Sequence, residues 1–529
     1  MKILITTSGI GSRLGNITQY INKSLVKIGD KLAIDYIIDN YKHLPNVEFV
    51  ITLGYKGDFV KQYLTLAYPK LINEIQFVDV NLYQGPGSSL GYSLLQTRTF
   101  INEPFIFHCC DAIFIDKINF NFNKNTLFVF KKDYAAQYST VNVVDDYITQ
   151  INEKGANIFD FMYVGVSYIK DYELFWNCLE KIYMQDKYFH QLSDIHVYME
   201  MLKTIKFKFK ILNKYFDIGN QNDYTIVLEH FKKKYNVLFK LRESISFHDD
   251  KVIKFFYDKE INKKRIERIK YLGDNTPKIY GYTDNFHSME LIDSKPLSEI
   301  YDNRLIYKLL NWANKNLWIN IKKHEIYSKP RFLKICRKFY YDKTTKRIDM
   351  FLKKKIHNEY DIINGENIGS IRKLLKKINF DGLCNDDQTY FHGDFILDNI
   401  LLNNNKFILI DWRQDFGGDI KVGDKYYDLA KLRHNIYFNH DNILNGLFFI
   451  KRINFNECVL DLKCNFFLIN QLSEFNKFIK ENKLNMKKIN ILTAIIWINM
   501  APLHEYPLSN FLFNFGKYNL YLANKLIDQ

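Results

Sequence analysis

The first fifteen residues, MKILITTSGIGSRLG (1–15), read as a strand that runs into a loop. Residues 2–6 are mostly apolar and partly β-branched, and the glycines and serines after them are typical of a tight turn. Similar apolar runs recur at 49–53, 75–80, 105–108 and 127–131, with segments of helical periodicity between them at 34–41 and 59–66. Alternating strands and helices predict an α/β domain with a doubly wound, mostly parallel sheet.

The alternation breaks near residue 224, where a basic helix at 224–235 shows no clear apolar face. Beyond 302 the pattern is mostly helical, with one strand–loop–strand unit at 389–412. Short β-like runs and a charged helix lie between, at 237–240, 252–256 and 259–272. We therefore place a domain boundary at 232 and a lobe boundary near 300. The predicted domains are 1–232 and 233–529, and the lobes of the second are 233–300 and 301–529.

Composition limits the classes of protein to which the chain can belong. With 529 residues, roughly three to four domain-sized units are expected, and 47% hydrophobic with 25% charged residues is ordinary for a chain with a buried core. The formal net charge is +15, but the basic residues are scattered and not gathered into one arm. We expect a solvated lysine-rich surface and no nucleic-acid partner, while the positive field favours nucleotides and phosphorylated metabolites.

Cysteines and apolar segments bear on the location of the protein. Seven cysteines without a CxxC spacing favour neither a disulfide framework nor a zinc site, and a reducing cytosol fits them best. The N-terminus lacks the pattern of a signal peptide, and the longest apolar stretch, 491–503, is shorter than the roughly 18 residues of a membrane helix. We expect a cytoplasmic protein without membrane insertion, with small-molecule substrates, and compatible with a homo-oligomer.

The loop after the first strand suits phosphate binding. In GIGSR (9–13) the glycines let backbone N–H groups approach a phosphate, and the start of the following helix favours negative charge. Lys23 lies ten residues beyond Arg13, so two cations flank one loop, as suits a triphosphate whose departing pyrophosphate needs charge neutralisation. The full GxGxxG motif is absent, and a dinucleotide site is not supported.

From this loop onwards the sequence resembles the sugar-phosphate nucleotidyltransferases, which include the phosphocholine cytidylyltransferases. Their signature, GxG(S/T)R, is followed by the lysine of a Pro-Lys pair. Here the pair is Asn22-Lys23, a replacement that we expect to loosen the loop while keeping the lysine. Other elements resemble the family in the same order up to about residue 224: QGPGSSL (84–90), HCCD (108–111), EK (153–154), YVGV (163–166) and FDIG (216–219). The resemblance implies a Rossmann-like nucleotidyltransferase domain.

The resemblance also implies a role for each matching residue. Asp111 and Asp217 would bind Mg²⁺ at the α-phosphate, since hard oxygen ligands suit that ion. Arg13 and Lys23 would be catalytic and stabilise the charge that develops as the acceptor's phosphate oxygen attacks. The nucleotide, CTP or UTP by preference, would contact Gly9, Gly11, Ser12, Gly85, Gly87 and Ser88, and the acceptor would contact Glu153, Lys154 and Gly165. Cys109 and Cys110 are expected to be packing residues.

A second motif lies in residues 390–412, YFHGDFILDNILLNNNKFILIDW. His392-Gly393-Asp394 and Asn399 form HGDxxxxN, and Asp411 stands downstream at the end of an apolar strand. Phosphoryl transfer needs an acid beside the attacking hydroxyl, an amide for one metal ion and a carboxylate for another. The spacing therefore predicts a kinase-type active site.

This second motif resembles the aminoglycoside phosphotransferase and choline kinase family, whose two-lobed α+β fold is protein-kinase-like. By this resemblance Asp394 is the catalytic base, and Asn399 and Asp411 bind Mg²⁺. Lys254, in KVIKFF (251–256), would grip the ATP phosphates, with Glu267 in the following helix as its ion-pair partner.

Two features depart from that family. No glycine-rich loop precedes Lys254, so the cover over the phosphates is undefined. Arg413 follows Trp412, whereas cation-binding members carry an acid at that point. An arginine there disfavours a quaternary ammonium substrate and suits an anionic or hydroxyl-rich one, so Arg413 is assigned to the substrate site. Asp428, in the DLA element, is expected to be mainly structural.

A kinase that makes a phosphomonoester and a transferase that consumes one predict consecutive steps in a bifunctional enzyme. The C-terminal domain would phosphorylate a small hydroxyl metabolite (a sugar, polyol or amino alcohol) with ATP, and the N-terminal domain would couple that phosphate to a second NTP for surface glycan synthesis, as in capsule or lipopolysaccharide. Three alternatives stay open. They are a choline kinase fused to a CTP:phosphocholine cytidylyltransferase, an antibiotic-type phosphotransferase with an inactive nucleotidyltransferase domain, and a polyanion-binding protein with relic domains.

Overall fold

A computed structural model describes residues 1–185, 191–231, 233–235, 240–302, 304–322, 325–354, 356–384, 388–463 and 466–525. The chain forms two compact units. Unit 1 comprises Met1–Asn262 and Ile279–Leu291, and unit 2 comprises Lys263–Lys278 and Ile292–Gln529. Among the described residues, no helix combines the length and the apolar character needed to cross a bilayer.

In its described residues, unit 1 contains seventeen strands and six complete α-helices, besides short 3-10 turns. The strands are β1 (Lys2–Thr6), β2 (Lys27–Ile28), β3 (Lys31–Leu32), β4 (Glu48–Leu53), β5 (Ile75–Asp79), β6 (Phe105–Cys109), β7 (Ala112–Phe114), β8 (Thr126–Phe130), β9 (Thr140–Val144), β10 (Tyr147–Asn152), β11 (Phe161–Ile169), β12 (Phe207–Ile211), β13 (Tyr215–Asp217), β14 (Glu243–His248), β15 (Lys251–Phe256), β16 (Ile279–Tyr282) and β17 (Phe286–Glu290). The helices are α1 (Ala33–Tyr41), α2 (Gly57–Ala67), α3 (Leu90–Leu95), α4 (Tyr172–Met184), α5 (Asp194–Met201) and α6 (Gln221–His230), and α7 (Lys259–Leu272) begins here.

Nine of these strands form the main sheet, in the order β5-β4-β1-β6-β11-β8-β12-β10-β9. The first four strands are parallel, as predicted, but β11 runs antiparallel to β6, and β10 runs antiparallel to β9. The sheet is therefore mixed and not mostly parallel. A physical reason is visible at β9 and β10, which are joined only by Asp145 and Asp146, whereas a parallel connection needs a dozen or more residues.

Both faces of the main sheet are buried. Along β1, Ile3 and Ile5 belong to one core, which α1 and α2 complete, and Leu4 belongs to the other, to which α4 contributes Trp176. A strand that is apolar on both faces is typical of a sheet covered by helices on each side. The uninterrupted apolar run at 2–6 thus follows from the layering, and the strand ends in the loop that carries the first motif.

A second sheet of unit 1, in the order β14-β15-β17-β16, contains Lys254 on β15. It packs on α2 through Phe59, whose ring centroid lies 5.1 Å from that of Phe255 and 6.4 Å from that of Phe286. These strands fall within the predicted lobe 233–300 but belong to unit 1 in compactness. The boundary at 232 stays a prediction, and the run predicted at 237–240 lies mostly outside the described residues.

Unit 2 is mainly helical. Its helices beyond α7 are α8 (Leu305–Asn316), α9 (Lys329–Arg337), α10 (Lys343–Leu352), α11 (Ile371–Lys376), α12 (Phe380–Leu383), α13 (Lys425–Tyr437), α14 (His440–Leu444), α15 (Phe466–Glu481), α16 (Met486–Met500) and α17 (Leu508–Lys525). Its strands are β18 (Ile362–Ile363), β19 (Glu366–Asn367), β20 (Ile400–Asn403), β21 (Lys406–Leu409), β22 (Phe448–Arg452) and β23 (Glu457–Leu462). One turn of π-helix, Lys338–Asp342, joins α9 to α10.

Several predicted elements can be compared with the structure directly. The charged helix predicted at 259–272 coincides with α7, whereas the basic helix predicted at 224–235 is α6 and already ends at His230. The strand–loop–strand unit at 389–412 contains the hairpin β20–β21, and the second motif occupies the loops on both sides of it.

Close packing of α16 against α17 sets a test of the unit 2 core. A methyl group at Gly516 would lie 2.8 Å from the carbonyl oxygen of Ala494 and 2.9 Å from the backbone nitrogen of Ile498. Backbone atoms cannot rotate away, so the overpacking should exceed the gain of about 1 kcal/mol in helix propensity. We expect Gly516→Ala to lower the free energy of unfolding by about 2 kcal/mol in urea titrations. Asn519→Ala is the control, since that amide donates only to Phe515 O of its own helix; equal stability of the two variants would contradict the packing.

Candidate active sites

A two-stranded ribbon brings Asp111 and Asp217 together. Asp111 immediately precedes β7, and Asp217 is the last residue of β13, which pairs antiparallel with β7 so that Asp217 lies opposite Ala112. The backbone N–H of Ile218 donates to the carbonyl oxygen of Asp111 at 3.1 Å. Two acids that are far apart in the sequence are therefore neighbours. This placement is compatible with the prediction that they bind one Mg²⁺, which stays a prediction.

An ion pair ties Asp111 to the phosphate-type loop. Lys23 Nζ lies 2.5 Å from Asp111 Oδ2, and the lysine side chain is 10% exposed. Burial pushes the pKa of Asp111 upward, but the charge and hydrogen bond of Lys23 together with the charge of Arg13 and a backbone hydrogen bond lower it by more, so the net pKa lies below its ordinary value. Burial likewise lowers the pKa of Lys23, but the charge of Asp111, its hydrogen bond and the nearby Cys110 and Asp217 together raise it above its ordinary value. Both groups are charged in the absence of any ligand.

Asp217 is the second acid of the pair and has different neighbours. Tyr138 Oη donates to its Oδ2 at 2.8 Å, and the backbone N–H of Gly219 donates to its Oδ1 at 2.6 Å. Burial raises the pKa of Asp217, and the negative charge of Asp111 raises it further. Two carboxylates therefore repel each other here, and a bound cation would relieve that repulsion. The sequence offered no signal for Tyr138, which lies outside every motif.

The loop and the strand ends enclose a cavity of about 380 Å³. Gly11 has a φ of 69°, and a Cβ there would lie 3.1 Å from Lys23 Cβ, so only glycine fits beside the lysine. The cavity wall includes most of the residues predicted to bind nucleotide. It is lined by Thr6, Ser8, Gly9, Gly11, Ser12, Arg13, Lys23, Tyr83, Ser88, Ser89, Leu90, Ser93, Cys109, Cys110 and Asp111.

Other predicted residues of unit 1 lie off this wall. Gly85 and Gly87 have φ of 83° and 84° and shape the turn before α3, where Ser88 Oγ donates to Gly85 O at 2.7 Å. Glu153 is 54% exposed, with His196 Nε2 at 3.5 Å from its Oε1, and Lys154 is exposed beside it. Their predicted contacts with nucleotide and acceptor stay predictions.

Gly165 packs against Cys109, the first of the two neighbouring cysteines. Gly165 has a φ of 80° within β11, and a Cβ there would lie 3.2 Å from Cys109 Cβ. Burial raises the pKa of the Cys109 thiol well above its ordinary value and that of Cys110 to about 12, so both thiols are neutral. Neutral thiols are poor nucleophiles, which agrees with their predicted packing role.

Asn22 corrects one expectation. The sequence predicts that asparagine in place of the family's proline loosens the loop, but its buried side chain fastens it. Asn22 Nδ2 donates to Thr7 O at 2.9 Å and to Tyr55 O at 2.6 Å, and Oδ1 accepts from the Ser24 backbone N–H at 2.9 Å. An amide supplies the donors that proline lacks, so the substitution exchanges a fixed dihedral angle for hydrogen bonds.

His108 positions the turn before Asp111. It is buried, and burial lowers its pKa to about 4, so the ring is neutral. Nε2 lies 2.7 Å from Ala112 O and therefore donates, which leaves Nδ1 to accept from Tyr41 Oη at 2.8 Å. The motif HCCD pointed to the aspartate as the functional residue. The hydrogen bonds of His108 and Tyr41 are what hold the backbone of that segment in place.

A similar histidine organises the second motif in unit 2. His392 is buried, and burial lowers its pKa to about 4. Its Nε2 donates to Ile410 O at 3.0 Å, and its Nδ1 accepts from the Asp394 backbone N–H at 3.2 Å. The ring thus links the HGD loop to the strand end that leads into Asp411.

Two further charged groups hold the same loop by its backbone. Asp428 accepts from the N–H groups of His392 and Gly393, both at 2.7 Å, and burial raises its pKa to about 6. Arg268, 1% exposed, donates to Phe391 O and to His392 O. Asp428 has the structural role expected of it, and Arg268 was not expected because α7 has no motif at that position.

Asp394 carries its own counter-charge. Lys431 Nζ lies 2.7 Å from Asp394 Oδ1, and Asn399 Nδ2 lies 3.1 Å from Asp394 Oδ2. Burial raises the pKa of Asp394, but the charge and the hydrogen bond of Lys431 together lower it by more, so the net pKa lies below its ordinary value. Lys431 stands three residues after Asp428, and sequence reasoning missed it.

The other residues predicted for the kinase-type site make no hydrogen bond or ion pair with Asp394 among the described residues. Asp411, with a φ of 56°, pairs with Arg265. Lys254 is buried on β15 in unit 1, whereas Glu267 is exposed on the part of α7 that belongs to unit 2. Their ion pair and the role of Lys254 in binding ATP stay predictions.

The donor atoms at both sites suit Mg²⁺. One site offers two carboxylates, Asp111 and Asp217, and the other offers the Asp411 carboxylate with the Asn399 amide oxygen, which accepts no hydrogen bond from the described residues. In the described part of the chain, no three His, Cys, Asp or Glu side chains cluster as a metal site. Few protein ligands with oxygen donors are what Mg²⁺ requires when substrate phosphates and water complete its shell.

Comparisons with known proteins concern the N-terminal part. No family model matches the chain. A Bacillus subtilis protein named "Probable glucose-1-phosphate cytidylyltransferase" is 38% identical over 63 residues, which cover 12% of this chain and only 25% of that relative. The D-glycero-alpha-D-manno-heptose 1-phosphate guanylyltransferase of Campylobacter jejuni is 25% identical over 232 residues, covering 42% of this chain and 97% of its own.

The choline-phosphate cytidylyltransferase of Streptococcus pneumoniae is 22% identical over 258 residues, covering 44% of this chain and 100% of its own. A solved structure of the CTP:phosphocholine cytidylyltransferase from that species covers 43% of this chain and 98% of its own, with 20% identity and a TM-score of 0.38. The two sequence relatives that align along nearly their whole length confirm the predicted resemblance of the N-terminal part to nucleotidyltransferases. The resemblance of the C-terminal part to small-molecule kinases stays a prediction.

Asn22 provides a test of the loop geometry. We expect Asn22→Pro, which restores the residue of the family signature, to destabilise unit 1 by about 2–4 kcal/mol, since it leaves two buried carbonyl oxygens unpaired. Urea unfolding with hydrogen-exchange mass spectrometry would assign the loss to unit 1. Asn22→Ala, which removes the side-chain amide without fixing the backbone, separates the lost hydrogen bonds from the effect of proline. A stabilised Asn22→Pro variant would contradict the fastening role.

Asp194 provides a test of the electrostatics behind the sheet. It is buried, accepts from Tyr163 Oη at 2.7 Å, and burial raises its pKa to about 6. An unfolded aspartate titrates near pH 4, so the folded state must hold a buried charge as pH rises from about 4 to about 6. We expect the free energy of unfolding of unit 1 to fall by about 2–3 kcal/mol over that window. Asp194→Asn should remove the fall and the exposed control Asp145→Asn should keep it, whereas an unchanged slope in Asp194→Asn would refute the assignment.

Proposed function

We propose that unit 1 transfers a nucleotidyl group from a nucleoside triphosphate to the phosphate of a phosphomonoester and releases pyrophosphate. One observation carries the proposal: the ribbon β7–β13 sets Asp111 beside Asp217, and Lys23 links Asp111 to the glycine loop at the cavity. Bound Mg²⁺ would polarise the α-phosphate and offset the two carboxylate charges.

The chain's own residues account for the other requirements of that reaction. Backbone N–H groups at Gly9 and Gly11 would hold phosphate oxygens, since glycine leaves them open to a ligand. Lys23, which is paired with Asp111 before a ligand binds, would also form an ionic contact with the phosphates. Arg13, which is exposed, would stabilise the negative charge of the departing pyrophosphate. No nucleophile of the protein is needed, which suits the neutral thiols at the cavity.

The names of the three relatives support the reaction and leave its substrates open. They specify cytidylyl and guanylyl transfer, and acceptors that are sugar phosphates or choline phosphate. Two of the three use a cytidylyl group, so CTP is the nucleotide that we propose first, ahead of UTP.

We further propose that unit 2 is a small-molecule kinase that uses ATP and Mg²⁺. Its support is the organisation of the HGD loop, in which a neutral His392 and a buried Asp428 fix the backbone of Asp394. Asp394 would accept the proton of the attacking hydroxyl, and its depressed pKa keeps it ionised at neutral pH for that purpose. Asn399 and Asp411 would hold the metal ion beside the ATP phosphates.

The two reactions fit one sequence of steps, in which the phosphomonoester made by unit 2 is the acceptor for unit 1. The product would be a nucleotide-activated building block for surface glycans such as capsule or lipopolysaccharide. The absence of a glycine-rich loop before Lys254 leaves the ATP cover to other residues.

Separate assays would test this division of labour. The full chain is incubated with Mg²⁺-ATP, each common NTP and a panel of sugars, polyols, sugar acids and amino alcohols, and mass spectrometry detects phosphomonoester and pyrophosphate. We expect Asp394→Asn to lower the first reaction by at least about 100-fold while sparing the second when phosphorylated acceptor is supplied. Asp111→Asn should do the reverse, and EDTA should stop both.

The controls are matched in chemistry and exposure. Asp145→Asn and Asp381→Asn alter exposed aspartates of units 1 and 2 and should leave both rates unchanged. If Asp394→Asn abolished pyrophosphate release from supplied phosphomonoester, the assignment of one reaction to each unit would be wrong.

A further inference from the structure

Four cationic side chains form one cluster in unit 2, at the HGD loop. Lys431 is paired with Asp394, and Lys343 is within electrostatic reach of Arg413, Lys431, Arg347 and Asp394. Lys343 Nζ lies 4.5 Å from the centroid of the Phe339 ring, and Arg413 Cζ lies 5.1 Å from that same centroid. Two cations therefore share one aromatic ring, and Arg347 follows Lys343 by one turn of α10.

The ring that both cations share is firmly held. Phe339 is 4% exposed, and its centroid lies 4.3 Å from that of Phe416 and 4.7 Å from that of Tyr427. It belongs to the π-helical turn between α9 and α10, a local irregularity that often marks functional sites. The position of Lys343 and Arg413 is thus built into the core of unit 2 and is not a property of a flexible surface.

These cations lack matching acids. Among the described residues, Lys343, Arg347 and Arg413 form no ion pair with a carboxylate, and the buried Nε of Arg413 has no hydrogen-bond partner. Burial lowers the pKa of Lys343, and the charges of Arg413, Lys431 and Arg347 lower it further. Burying several like charges without counter-charges costs free energy, and an anion bound among them would recover it.

We propose that the acceptor site of unit 2 selects a hydroxyl compound that also carries an anionic group, a carboxylate or a phosphate. The inference rests on the kinase function proposed above, because Asp394 marks the side on which the attacking hydroxyl lies. Asn399 and Asp411 define the metal and nucleotide side, so cations gathered at Asp394 and after Trp412 face the acceptor.

This charge pattern separates the classes of acceptor. A quaternary or primary ammonium group would meet Lys343, Arg413 and Lys431 at close range and would be repelled. A neutral polyol would leave the cations unpaired. An oxyanion would accept bidentate hydrogen bonds from a guanidinium and ionic contacts from the ammonium groups, which are among the strongest polar contacts in proteins.

The test uses acceptors matched in skeleton and different in charge. The full chain is assayed for ATP-dependent phosphorylation of glycerate, glycerol and 3-amino-1,2-propanediol, of gluconate, glucose and glucosamine, and of glycerol phosphate beside glycerol. We expect kcat/KM for the anionic members to exceed that for the neutral members by at least 10-fold, and the cationic members to be the poorest. The carboxylate and phosphate arms distinguish the two sources of negative charge.

Variants connect the preference to the named residues. Lys343→Ala and Arg413→Ala should lower kcat/KM for anionic acceptors by at least 10-fold through KM, with the KM for ATP little changed, and should narrow the ratio of kcat/KM between anionic and neutral acceptors. Arg413→Glu should move the preference towards the cationic members. Lys346→Ala, an exposed lysine on the same helix, is the control and should change none of these quantities.

The outcomes separate this inference from the function on which it rests. If no acceptor of any charge is phosphorylated, the kinase function fails and the inference fails with it. If neutral or cationic members are preferred, the kinase function stands and the inference is overturned. A rise in the KM for ATP in Lys343→Ala and Arg413→Ala, with acceptor KM unchanged, would assign the cations to the nucleotide and also overturn it. Calorimetric titration of glycerate and glycerol into wild-type protein and Lys343→Ala should show the same order without turnover.

Discussion

The contact between Lys23 and Asp111 is the constraint on which the candidate site of unit 1 depends. It joins three pieces of chain: the glycine loop after β1, the end of β6 and the ribbon that carries Asp217. A buried carboxylate pair without a cation would be strongly disfavoured, so the lysine lets both acids fold into place before any ligand arrives. The same lysine lines the cavity, where its charge would be available to a bound phosphate. The free-energy cost of placing two carboxylates side by side is therefore offset by a residue of the protein before a ligand binds.

In both units a buried histidine holds the backbone next to the candidate aspartate, which is Asp111 in unit 1 and Asp394 in unit 2. His108 and His392 are buried, neutral rings whose Nε2 donates to a backbone carbonyl. Each lies within three residues of the aspartate that it serves, so one planar ring fixes the turn on which the carboxylate stands. The outer supports differ, since unit 1 relies on tyrosine hydroxyls and unit 2 on the charged pair of anchors Asp428 and Arg268. The second arrangement suits a loop whose backbone amides and carbonyls point into the interior.

How much of this was predictable depends on the range of the interaction. The parallel half of the main sheet, helix α7 and the motif residues Asp111 and Asp394 followed from local patterns, because strand periodicity and motif spacing are short-range signals. The mixed half of the sheet, the hydrogen bonds of Asn22 and the placement of Lys431 did not, because each depends on which distant backbone lies opposite. Asn22 shows best what a local pattern misses. Proline and asparagine differ in local propensity, but the rigidity of this loop depends on the carbonyl oxygens of Thr7 and Tyr55, which accept from the Asn22 amide. Lys343 lay outside any motif, and its contact with Phe339 matters only because that ring is held by distant aromatic residues such as Phe416 and Tyr427.

The two sites differ in the sign of their excess charge, which is negative in unit 1 and positive in unit 2. This difference bears on the order in which the two proposed reactions would take place. In unit 1 two acids share one lysine, an arrangement completed by a divalent cation and phosphates. In unit 2 the acid paired with Lys431 adjoins a cluster of cations, an arrangement that an anion would complete. A molecule that satisfies unit 2 would leave it with its original negative group and a new phosphate. Only the phosphate is needed for attack on a nucleotide, so under the proposed order of steps unit 1 would have to accept the original group as well. Selectivity for such a doubly anionic intermediate would then arise at the predicted acceptor side of unit 1, where Lys154 is exposed and Glu153 stands next to it.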